Sequence, residues 1–119
     1  MSWKFTGDAP VYQQIMDCIR GDILRGEYRP GDRIPAVREL AVQARVNPNT
    51  MQRAMMELER EGLLVSCGTV GRFVTSDPAV LEQARRSVHL SVARRCAQML
   101  EGYGLTLEQA AALVKEETT

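Results

Sequence analysis

An Asn-Pro pair at positions 47 and 48, set between a short apolar pattern and a longer one, constrains this chain more than any other feature. The Asn47 side-chain oxygen can accept an orphan N–H of a first helical turn. Pro48 suits the first helical position, where no N–H is needed. Beyond the pair, Met51, Ala54, Met55 and Leu58 fall on one face at helical spacing, and Asn49, Gln52, Arg53 and Met56 fall on the opposite face. Ahead of it, Pro35-Ala36-Val37-Arg38-Glu39-Leu40-Ala41 starts a second, shorter helix. Two short helices joined this closely make a helix–turn–helix, and a stripe of Asn, Gln and Arg is the chemistry that reads base edges in a major groove. Met56, in the middle of that stripe, suits a thymine methyl or a cover over side chains of the preceding helix, and both roles stay open.

The 119 residues support one modest domain, or a small domain with an appendage. Net charge is zero, so the whole chain gives no electrostatic vote for nucleic acid. The local balance differs. Arg33, Arg38, Arg45 and Arg53 share the stretch 33–56 with a single acid, Glu39, and a local patch can hold phosphates in a neutral protein. Cys18, Cys67 and Cys96 form no Cys-x-x-Cys pair and no metal-like spacing, so reduced, inert thiols are expected. His89 stands alone and lacks partner ligands. No nucleophile–base pair can be placed, so no enzyme, no metal and no cofactor is expected. Without a signal segment or an apolar run long enough for a membrane span, the expected location is the cytoplasm.

Along the chain, Trp3 and Phe5 read as a short extended lead-in, and Val11 to Arg25 as a helix with Ile15, Ile19 and Ile23 inside. Gly26 and Gly62 are helix stops. Residues 63–67 and 72–75 read as two strands joined at Gly68-Thr69-Val70-Gly71, a hairpin in the position of a wing. Asp77-Pro78 repeats the cap-plus-proline signature and opens a helix to about Glu101. Its stripe is Leu81, Ala84, Val88, Val92, Cys96 and Met99. Thr106 with Gln109 forms a capping box for a last helix carrying Leu107, Ala111 and Val114.

Taken in order, Pro10-Val11-Tyr12-Gln13-Gln14-Ile15, Gly26, Pro30-Gly31, Ile34-Pro35, Arg38-Glu39-Leu40-Ala41, Val46-Asn47-Pro48-Asn49-Thr50, Leu58-Glu59-Arg60-Glu61-Gly62-Leu63-Leu64 and Gly71-Arg72-Phe73-Val74 resemble the GntR family of bacterial transcription regulators. The match runs over about residues 8–75. The Trp3/Phe5 lead-in, the Asn-Pro-Asn-Thr cap and the short two-helix tail resemble the YtrA-type subfamily, which implies a dimer controlling its own gene and a transporter operon. The resemblance implies that Arg38 contacts phosphate or a base, that Asn47, Asn49, Thr50 and Gln52 begin the recognition helix, and that the wing tip at Gly68, Thr69 and Gly71 faces a minor groove. Three positions depart from the family pattern. Ala36 stands where many relatives have a serine cap, Thr69 where the wing usually has its first glycine, and Arg72 where threonine is common. Arg72 is therefore an additional candidate for a phosphate or minor-groove contact.

The expected fold is mainly α with a small β-wing: a winged helix–turn–helix over residues 1–75 and a two-helix dimerisation tail over 76–119. The stripes on the last two helices can pack onto their own winged domain or across a two-fold axis; two helices with one apolar stripe each cannot bury both faces alone, which favours the two-fold axis. Expected partners are a second copy of the chain and a pseudo-palindromic double-stranded DNA operator. A small-molecule effector, if one binds, has to act at the dimer seam or at the hinge near Thr75-Ser76-Asp77-Pro78. The competing reading is a helical interaction module whose winged domain binds protein, and the arginine-rich, acid-poor stretch 33–56 counts against it.

Overall fold

The computed structural model describes residues 3–118. Helix α1 spans Val11–Leu24, strand β1 Arg33–Ile34, α2 Val37–Ala44, α3 Pro48–Arg60, β2 Leu64–Cys67, β3 Gly71–Val74, α4 Pro78–Gly102 and α5 Leu107–Thr118. The starts follow local chemistry. Asn47 Oδ1 accepts from the Asn49 N–H at 2.7 Å, and Asp77 Oδ1 accepts from the Ala79 N–H at 2.9 Å. Each is followed by proline at the first helical position. Thr106 and Gln109 exchange their hydrogen bonds at 3.1 and 2.9 Å, closing the capping box. Helix α2 lacks a side-chain cap, because Ala36 offers no acceptor.

Four helices end in the same way. An amide just past the helix end reaches back to close a six-residue loop, as Leu63 N–H does to Leu58 O at 3.0 Å after α3. The residue before that amide must take positive φ, and Gly26, Gly62 and Gly104 do so after α1, α3 and α4. After α2 the same motif forms, with Val46 N–H on Ala41 O at 3.1 Å, but the left-handed residue is Arg45 at φ 57°.

The sheet has the order β1-β3-β2 and is antiparallel throughout. Two of its strands were expected. The third, β1, pairs Arg33 with Phe73 and Ile34 with Arg72, and lies within the arginine-rich stretch. Its inner face sets Ile34, Leu64 and Val74 against Ile15, Ile19, Leu40, Met51, Met55, Leu58 and Leu63, all at 2% exposure or less. Burying side chains of this size contributes about 1.5–3 kcal/mol each. Trp3, Phe5 and Tyr12 pack against this core from its edge. The lead-in is tied to α1 by Gln14, whose amide donates to the carbonyls of Thr6 and Ala9 and whose oxygen accepts from the Thr6 N–H.

The chain divides into two compact units, one reaching to Arg86 and one beginning at Ser87. The first therefore extends past the boundary expected after Thr75. The reason is packing: Val80, Leu81 and Ala84, on the first turns of α4, join the core of the winged unit. Leu81 and Ala84 were expected on a dimerisation stripe, and the structure instead uses them inside the first unit. In the second unit, α5 buries none of its residues. Its exposed apolar side chains include Val92, Met99, Leu107 and Val114, and also Leu90, Tyr103 and Leu113, which the stripe had not included. Val88 is half-buried, and Cys96 and Ala111 are exposed. No helix among the described residues is long and apolar enough to cross a membrane.

Candidate nucleic-acid interface

Helix α3 turns Met51, Ala54, Met55 and Leu58 into the core, which leaves Asn49, Arg53 and Met56 exposed on the opposite side. Thr50 and Gln52 are half-buried beside them. Two neighbours bound this outward face. On one side Glu61, next to α3, pairs with Arg20 of α1. On the other, Glu59 accepts from Ser66 Oγ at 2.6 Å and from Arg72 Nε, both on the wing hairpin. The hydrogen bond from Ser66, together with the Arg72 guanidinium, holds the Glu59 carboxyl below its ordinary range, against the opposing effect of burial. Asn49 and Met56 thus stand on the middle of a face with α1 at one edge and the wing at the other.

The expected DNA-contacting residues fall into two groups. Arg33, Arg38, Arg45 and Arg53 are all exposed, and none forms an ion pair among the described residues. The Arg33 side chain lies against Gly71 at the tip end of the wing, where an added Cβ would meet its Nε at 2.9 Å. Arg45 sits in the turn itself, and Asn47 is exposed at the helix start. Gly68 and Thr69 are exposed at the wing tip, where Val70 N–H bonds Cys67 O at 3.0 Å to close the turn. Arg72 belongs to the second group. The sequence offered it as a free contact, but it is half-buried and spends its guanidinium on Glu59, tying the wing to α3.

Three features escaped the sequence. The first is β1. The second is the Glu59–Ser66–Arg72 network, whose members lie on three successive elements, α3, β2 and β3. The third is Arg53, whose guanidinium carbon lies 3.8 Å above the ring centre of Tyr12 on α1. Elsewhere, burial followed by the charges of Asp22 and Asp17 pushes the Cys18 thiol up, away from the reactive thiolate. His89 is exposed, and no group of three potential metal ligands occurs among the described residues.

A helix presenting a polar face beside a three-stranded wing, preceded by a second helix across a tight turn, is the arrangement of winged DNA-reading domains. The model of the gntR family of bacterial regulatory proteins matches residues 11–74. This chain belongs to the GntR family. It is 34% identical to the HTH-type transcriptional regulator YhcF of Bacillus subtilis (strain 168) over 109 residues, covering 92% of this chain and 90% of YhcF. It is 40% identical to the transcriptional repressor YtrA of the same organism over 68 residues, which cover 57% of this chain and 52% of YtrA. Among solved structures, a GntR family transcriptional regulator from Listeria monocytogenes superposes with a TM-score of 0.79 at 32% identity, covering 94% of this chain and 98% of that one. AraR(DBD) in complex with operator ORX1 matches with a TM-score of 0.58 at 31% identity, covering 63% of this chain and 96% of that one. The GntR-family chain is thus a DNA-binding transcription regulator with YtrA-type relatives.

Proposed function

We propose that this GntR-family regulator is a homodimeric repressor, acting in the cytoplasm on a pseudo-palindromic operator that controls its own gene and a transporter operon. The observation that carries the DNA reading is the set of four exposed guanidinium groups, Arg33, Arg38, Arg45 and Arg53, left without carboxylate partners among the described residues around the α3 face. Nearby Arg20, Arg60 and Arg72 are all paired. Unpaired guanidinium groups keep every donor available for phosphates and base edges. In this reading Asn49 and Gln52 read bases, while Arg38 and the wing tip at Gly68 and Thr69 follow the backbone.

The dimer reading rests on the second unit. Val92, Met99, Leu107 and Val114 stand 50–69% exposed, an apolar surface that a second copy would cover. A helix–turn–helix dimer reads two half-sites about 34–36 Å apart, which gives the operator its symmetry. We assign DNA binding to the unit reaching Arg86 and dimerisation to the part beginning at Ser87. The test is selection of duplexes from a random pool by the full chain, followed by sedimentation of the protein alone and with the winner. The expected result is an inverted repeat bound by two chains. Enrichment of a single, non-repeated half-site by a monomer would refute the dimeric reading, and no enrichment at all would refute DNA reading.

A further inference from the structure

We propose that Tyr12 is a positioning residue for DNA binding, holding Arg53 at the α1 edge of the reading face so that the guanidinium meets a backbone phosphate. The inference deepens the DNA-binding reading above and rests on it. Tyr12 lies on the second residue of α1, half-buried against the core, so its ring is a fixed platform. Its hydroxyl accepts from Gln13 Nε2 at 3.2 Å. Arg53 is exposed, yet its guanidinium carbon sits 3.8 Å from the ring centre. A contact through the ring face leaves the N–H groups at the guanidinium edge unspent. A carboxylate would have consumed them. Glu57, one turn along the same helix, is available by spacing but carries Arg60 at 2.9 Å instead.

The side of the helix decides what Arg53 can reach. Leaning onto α1, its guanidinium is drawn off the middle of the face, where Asn49 and Met56 project, toward the flank. A recognition helix seated in a major groove has base edges below its middle and sugar–phosphate walls at its flanks. A free arginine loses rotamer freedom on binding, and a stacked one has already surrendered part of it. Periodicity alone sets Arg53 among the base readers; the contact with Tyr12 favours the backbone.

The test uses the full chain, a duplex enriched by the wild type, and an unrelated duplex of equal length. Arg53→Ala should weaken binding to both and lower the slope of log affinity against log salt by about one. Tyr12→Leu should weaken both by about two- to fivefold, the worth of an exposed cation–π contact. Tyr12→Phe keeps the ring and should leave affinity unchanged. In the Arg53→Ala background Tyr12→Leu should have no further effect. If the leucine variant melts early, Tyr12→Met repeats the comparison with a flexible side chain that fills the space. Equal losses for the phenylalanine and leucine variants overturn the proposal. So do losses that add to that of Arg53→Ala, or a loss confined to the enriched duplex. A wild type that enriches no duplex overturns the DNA-binding reading and this proposal with it.

Discussion

Replacing Arg45 by glycine should make the protein more stable and a weaker DNA binder. Arg45 is the only residue other than glycine with positive φ among those described, at φ 57° and ψ 47°. The left-handed region costs a residue with a Cβ about 1–2 kcal/mol. Glycine removes that strain but gains freedom in the unfolded chain, which offsets about 0.4–1 kcal/mol. The net gain is about 0.5–1 kcal/mol, or a rise of about 2–8 °C in the melting midpoint of a domain this size. Three other helices end in the same motif with glycine, so the backbone accepts the change. If the guanidinium holds a phosphate, Arg45→Gly should also lower the salt slope of DNA binding by about one unit. Arg45→Ala separates the two effects. It keeps the strain and loses the charge, so it should leave stability within about 0.5 kcal/mol of the wild type and match the glycine variant in binding. Thermal melting and salt titrations of duplex binding read both quantities. A glycine variant that melts below the wild type would falsify the strain argument. An unchanged salt slope in both variants would remove Arg45 from the DNA-binding set.

Other perturbations test the remaining supports. Asn47→Ala deletes the cap of α3 and should cost about 1 kcal/mol in a urea melt; no loss would mean that Pro48 alone sets the helix start. Glu59 has a depressed pKa, so its contribution is complete above the ordinary value of 4.5 and is lost as pH falls through the lower, folded-state value. Glu59→Gln should therefore destabilise at neutral pH by about 1–2 kcal/mol and flatten the acid limb of the stability curve; an unchanged limb would show that other carboxylates carry it. Truncation after Thr75 should destabilise the winged unit by about 2–4 kcal/mol relative to truncation after Arg86, because it strips Val80, Leu81 and Ala84 from the core. Both truncated forms should sediment as monomers, and a dimer formed by either would place the interface on the winged unit.

The sequence by itself determined what depends on neighbours a turn apart. Helix starts at Pro48, Pro78 and Leu107 follow from Asn47, Asp77 and Thr106, since a cap is a contact between residues two or three positions apart. The core face of α3 follows from periodicity, as does the exposed stripe of Asn49, Arg53 and Met56. Those local signals also carried the family resemblance, and with it most of the candidate interface. What periodicity cannot state is which partner a face meets. The stripe on α4 was legible, but only the tertiary structure assigned Leu81 and Ala84 to the winged core and left Val92 and Met99 exposed. Strand β1 is two residues long, too short for any alternation to show, and exists because β3 offers it an edge. Arg72 and Arg53 are both exposed arginines on paper. Packing gives one to Glu59 and lays the other on Tyr12, because a long side chain settles on whatever charge or ring the fold brings within its reach, and that distance is set by contacts far apart in the chain.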